Sequence, residues 1–174
     1  MLALDAAARL GPKVRKLYMF EPPFIVHPSR PSIDASLSHA IDHETAKGNR
    51  SEAVRLFFTK GIGIPSFGVT MMRFLMPGWL KMCAMANTIP YGLAIVDRTQ
   101  AGQSLPVGRW KNTPVAIKVA VGSRSVPFFH SGAEALVQIL PDAEYQSLDG
   151  LNHGALLLAA KSLGKDVQNF LLRP

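Results

Sequence analysis

A single cysteine, Cys83, stands in a chain of 174 residues, and that scarcity excludes an internal disulfide. It fits a reducing compartment, so a cytoplasmic protein is expected. Nothing in the flanking LKMCAMAN resembles an activating histidine or a paired cysteine, so Cys83 reads as a small apolar packing residue. Long apolar runs are missing too. The stretches LFF, VAIKVAV and GALLLAA fall far below the roughly 18 residues needed to cross a bilayer, so no membrane partner is expected. The opening MLALDAAARLGP is apolar, but Asp5 and Arg9 interrupt it and no basic segment precedes it. It reads as a helix, not a secretory signal. Internal repeats and low-complexity tracts are absent.

Acidic residues are comparatively few. Lys and Arg number 19 against 12 Asp and Glu, a net charge of +7. Such a balance can mark a nucleic-acid binder. Here the cations are dispersed, GPKVRK is the one dense cluster, and no aromatics interleave with it as a stacking platform requires. No nucleic-acid partner is expected; steeply salt-dependent binding would be the sign of one. What the chain does have is apolar content, 48% against 18% charged residues, enough for one domain with a sizeable core.

The hydrophobic pattern changes twice along the chain. Leu2 to Leu10 forms a helix stopped by Gly11-Pro12, and KVRKLYMFEPP follows as a short buried strand broken by Pro22-Pro23. From Phe24 to Asn112 the pattern is helical, with SIDASLSHAIDHETAKG, SEAVRLFFTKG stopped by Gly61, FGVTMMRFLM and GWLKMCAMANTIP as successive helices. This middle is expected to be an insertion without a core of its own, rich in Met and Phe. From Thr113 the α/β rhythm returns. PVAIKVAVG is a strand covered on both faces, FFHSGAEALVQILP an amphipathic helix, AEYQSLDG a strand, and the rest a final helix with Gly164 as its break point. Strand–helix–strand–helix predicts an α/β fold with parallel strands flanked by helices.

In such a sheet functional groups gather at the carboxyl ends of the strands. Three ends can be named: Glu21-Pro22, Gly122-Ser123-Arg124-Ser125 and Asn152-His153. At these residues the chain resembles the C-terminal part of the α/β-hydrolase fold. KLYMFEPP resembles that family's strand six (1–23 with the first helix), residues 24–112 its helical cap, and PVAIKVAVGS and SLDGLNHG its strands seven and eight (113–174). The first helix looks like the one that follows the nucleophile elbow.

The resemblance implies a serine-hydrolase-type chemistry on ester or amide substrates, with His153 as the catalytic base. It implies a carboxylate to orient that histidine. Glu21 matches the position used by members that place the acid after strand six, and Asp97, in GLAIVDRTQ, is the other candidate. The family's common acid position, after strand seven, holds GSRSVP and no carboxylate. The G-x-S-x-G elbow is not found. IPSFG around Ser66 lacks the first glycine, and Ser123 and Ser125 lack the elbow context. The isolated chain is therefore expected to have little or no activity, with an elbow serine just before Leu2 if the coding sequence extends upstream.

A small apolar or ester substrate under the cap is the expected partner. Self-association through the uncovered edge of strand six is also expected. The alternative is a non-catalytic small-molecule-binding or interaction module built on the same fold. No cofactor is expected. His39 and His43 stand one helical turn apart, but no third ligand is placed and Glu44 reads as pointing off that face, so no metal is expected.

Overall fold

The computed structural model describes residues 1–28, 30, 32–96 and 99–173. Contacts divide the chain into two compact units, residues 1–31 with 98–174, and residues 32–97.

The first unit is an α/β unit built on three strands, β1 (Lys16–Phe20), β2 (Ala116–Gly122) and β3 (Ala143–Leu148), all parallel in the order β1-β2-β3. The register pairs Leu17 with Ile117 and Phe20 with Ala120, then Ile117 with Ala143 and Gly122 with Leu148. The three carboxyl ends therefore finish side by side. Helix α1 (Leu2–Leu10) precedes β1 and stops at Gly11, whose φ of +52° only glycine adopts without strain. Asp5 on α1 accepts hydrogen bonds from Arg109 Nε (2.9 Å) and Trp110 Nε1 (2.8 Å), so this carboxylate ties α1 to α7 (Val107–Trp110), the short helix leading into β2.

Side chains alternate across β2 as a strand demands. Ile117, Val119 and Val121 join Leu4, Ala7, Phe129 and Leu136 in the main cluster, the last two from α8 (Pro127–Ile139). Lys118 and Ala120 point the other way, toward the C-terminal helix, where Ala120 packs with Leu148 and Leu163. The strand is covered on both faces, as its near-continuous apolar run predicts.

Lys118 is the exception inside that run, fully buried yet charged. Its Nζ donates to Asp166 Oδ1 at 2.8 Å, and Tyr18 Oη donates to Asp166 Oδ2 at 2.6 Å. The C-terminal helix breaks at Ala159, between α9 (Ala155–Leu158) and α10 (Ala160–Leu172). That corrects the expected break at Gly164, which lies inside α10 with nothing within 4 Å of its would-be Cβ. An exposed glycine lowers helix propensity by only about 1 kcal/mol, too little to end a helix whose flanks are packed.

The second unit is helical: α2 (Ser36–Ala46), α3 (Arg50–Leu56), α4 (Ser66–Leu75), α5 (Trp79–Ala84) and α6 (Ile89–Val96). The expected lack of a core is overturned. Leu37, Ile41, Ala53, Val54, Val69, Trp79, Cys83 and Ala86 form a buried cluster of the unit's own. Helix α3 also runs past Gly61 as a π-turn (Phe57–Ile62) and ends at Gly63, where φ is +87°. Among the described residues no helix is long and apolar enough to cross a membrane.

Candidate active site

The chain leaves β1 through Glu21, whose amide still donates to Ala120 O at 2.9 Å. The next residues, Pro22 and Pro23, offer no amide hydrogens to a ladder and turn the chain away. Glu21 takes a φ of +48°, the one positive φ among described residues other than glycine. A side chain in this region costs about 1–3 kcal/mol and persists only where the surroundings impose it. The turn drives the carboxylate inward, where the residue is 3% exposed.

Three donors meet that carboxylate. Gly122 N–H donates to Oε1 at 2.9 Å, and the Ser125 hydroxyl donates to the same oxygen. His153 Nδ1 is 2.7 Å from Oε2. The acid comes from the end of β1, two of its donors from the end of β2, and the histidine from the loop after β3. The geometry brings Glu21, Ser125 and His153 together at these strand ends.

The histidine loop is pinned as closely as the acid. Gly150 N–H donates to Ser123 Oγ at 2.9 Å, Ser123 N–H to Leu148 O at 2.9 Å, and Arg124 N–H to Leu151 O at 2.9 Å. Gly122 is where the two loops cross. A Cβ there would sit 2.5 Å from the carbonyl carbon and oxygen of Leu151 and 2.7 Å from Asn152 N, all backbone atoms. Only a hydrogen fits. On the acid's side, a Cβ on Gly132 of α8 would sit 2.7 Å from Phe24 O, so that glycine lets the helix approach the segment just after Glu21. The His153 ring stacks on Phe129, centroids 4.7 Å apart and planes at 17°, while its side chain stays 67% exposed.

With Nδ1 as the donor to Glu21, a neutral imidazole presents the lone pair of Nε2 outward. Among the described residues no hydroxyl is hydrogen-bonded to Nε2. The arrangement can accept a proton at Nε2 and stabilise the resulting imidazolium with the buried carboxylate.

Of the residues singled out from sequence, Glu21 and His153 are brought together. Asp97 lies outside the described residues. Ser123 and Ser125 act as acceptor and donor within the loops, and Ser66 begins α4. His39 and His43 lie on α2, and Glu44 does not point away from that face as expected, since its Oε1 is 3.4 Å from His43 Nδ1. No group of three His, Cys, Asp or Glu able to hold a metal occurs among the described residues. Sequence reasoning named Gly122 and Ser125 as strand-end residues but missed their supporting roles, and it missed Phe129 as a partner of the histidine. The glycine was readable: one at the end of a β-branched strand signals a close backbone approach.

Comparison with solved structures agrees with this architecture. An alpha/beta hydrolase from Sphaerobacter thermophilus matches at 30% identity and a TM-score of 0.83, over 98% of this chain and 63% of its own. MGS-M2, an alpha/beta hydrolase enzyme from a Medee basin deep-sea metagenome library, matches at 12% identity and a TM-score of 0.54, over 99% of this chain and 62% of its own. At that identity the likeness is one of fold. No protein-family model and no curated protein matches the chain. The chain is related to the α/β hydrolases and carries part of their fold, spanning somewhat less than two thirds of the length of these two proteins.

Proposed function

We propose that Glu21 and His153 are the acid and base of a hydrolytic centre acting on an ester or amide. In this reading His153 Nε2 takes the proton of a serine hydroxyl as its oxygen attacks the substrate carbonyl. It then returns that proton to the departing alcohol or amine, and a second cycle with water releases the acid product. Glu21 holds the imidazole in the required tautomer and offsets its positive charge. The serine is supplied from outside these 174 residues. Ser123 and Ser125 do not fill that role, since both are engaged in holding the loops, and Ser66 opens α4 after a π-turn instead of a strand. The observation that carries the proposal is the 2.7 Å contact between His153 Nδ1 and a buried carboxylate 132 positions away in sequence.

The test joins this chain to the part of the Sphaerobacter thermophilus relative that it does not span. Hydrolysis of a short-chain p-nitrophenyl ester is then measured beside the unjoined chain. Background rates are expected from the unjoined chain and turnover from the joined one, abolished by His153→Ala. A joined protein that is folded by circular dichroism yet inactive, or equally active with His153→Ala, sinks the proposal.

A further inference from the structure

We propose that the helical unit 32–97 carries a binding site for one anionic amphiphile, its charged head in one cavity and its apolar tail in an adjoining groove. The site is built from residues of the helical unit alone and does not rest on the hydrolytic reading. Two depressions meet at Arg73 and Trp79, which line both. They measure about 420 and 490 Å³, each within the roughly 300–1,000 Å³ of small-molecule pockets.

The first is cationic. Arg50, Arg55 and Arg73 line it, with Glu52 as its one carboxylate. Arg55 occupies that carboxylate through two bonds, Nε at 2.7 Å and Nη2 at 2.5 Å. Arg50 donates to Ala84 O at 2.8 Å, which fixes its head without cancelling its charge. Arg73 makes no ion pair among the described residues and lies 6.0 Å from the Phe74 ring centroid. Three guanidiniums against Glu52, with the Glu44 carboxylate held on Asn49 at 2.9 Å close by, leave the lining net positive for a ligand to meet. Guanidinium forks suit the paired oxygens of a phosphate or a carboxylate.

The second depression is apolar. Phe74, Met76, Trp79 and Leu80 line it between Arg73 and Lys81. Phe74 and Leu80 are 76% and 82% exposed, surface that water covers at a cost and a hydrocarbon chain would cover with gain. No carboxylate lines this groove, and the sequence has no acidic residue between Glu52 and Asp97 to repel an anion. A free phosphate would satisfy only the first cavity and a long-chain alcohol only the second. A molecule with both parts satisfies the pair, with Arg73 at the junction.

Calorimetric titration of the full chain decides it, using decyl phosphate, decanoate, decanol and inorganic phosphate, each below any micelle concentration. One-site binding is expected for decyl phosphate or decanoate, which tells the two heads apart. Decanol and inorganic phosphate are expected to bind at least about tenfold more weakly. Arg73→Ala and Leu80→Asp alter exposed side chains and are expected to keep the helical circular dichroism while each weakens binding by about tenfold or more. The proposal is overturned by the absence of saturable binding, by inorganic phosphate equalling decyl phosphate, or by variants that bind as tightly as the parent. Adsorption to phosphatidylglycerol vesicles without binding of any single amphiphile also overturns it, and assigns the face to a bilayer surface instead.

Discussion

Glu21 shows how much one residue can be asked to do. Its left-handed backbone is a local cost, and what the cost secures is a carboxylate aimed at His153 instead of along β1. Glu21→Gln keeps the shape and removes the charge. Its expected outcome is loss of the downfield imidazole N–H proton resonance of His153 in the NMR spectrum, with little change in fold. In the joined protein the same change is expected to lower turnover by about 10⁴. Gly122→Ala tests the crossing of the loops. Because the obstructing atoms are backbone, the loop must shift, and a loss of about 1–3 kcal/mol in urea unfolding is expected together with the same NMR signal. Glu21 and His153 were legible because strand-end position and residue type coincide in them. Ser125 and Phe129 were not, since nothing in GSRSVPFF says which side chain a carboxylate or an imidazole will meet after the chain has turned.

Among the elements, α10 is held to the sheet by polar contacts as much as by Leu163 and Phe170. Tyr18 and Lys118 are register partners on β1 and β2, and both reach Asp166. Lys16 Nζ adds bonds to the carbonyls of Phe170 (3.1 Å) and Arg173, closing the helix end. Burial works against the charge on Asp166, but the bonds from Lys118 and Tyr18 outweigh it and hold its carboxyl below the ordinary 3.8. A carboxyl lowered on folding contributes stability that is present above its unfolded value and is lost as pH falls through the folded one. Stability from this contact should therefore be constant near neutrality and decline below about pH 4. Asp166→Asn leaves the fully buried Lys118 without its counter-charge, and about 3–5 kcal/mol should be lost in urea unfolding at pH 7. The acid-side decline should flatten in the variant.

Element type was readable from periodicity, as α1, β1, β2 and β3 show. The break at Ala159 and the π-turn past Gly61 were not, because packing overrode the local signal of a glycine. The core of the helical unit escaped for a related reason. Leu37, Ile41, Val54 and Val69 reveal which face of each helix is apolar, but not that the faces turn toward one another.

For the whole molecule, β1 is the edge of the sheet, pairing with β2 alone among the described residues. An edge strand with an open row of backbone groups invites a further strand. We expect sedimentation velocity to show oligomers growing as concentration rises over a hundredfold range. A single monomeric species throughout would refute that expectation. The relationship to the α/β hydrolases was legible because the order of elements survives in the sequence even at 30% identity.

The crossing at Gly122 has a consequence for how this protein can change over generations. Glu21 and His153 ride at the ends of β1 and β3, with β2 threaded between them, and the space between the loops admits one hydrogen atom. Any lineage that places a side chain at position 122 must reroute the His153 loop in the same step, so those two regions are bound to vary together. Residues on the outer rim of the loops, such as Asp149, carry no such bond and are free to diverge one at a time.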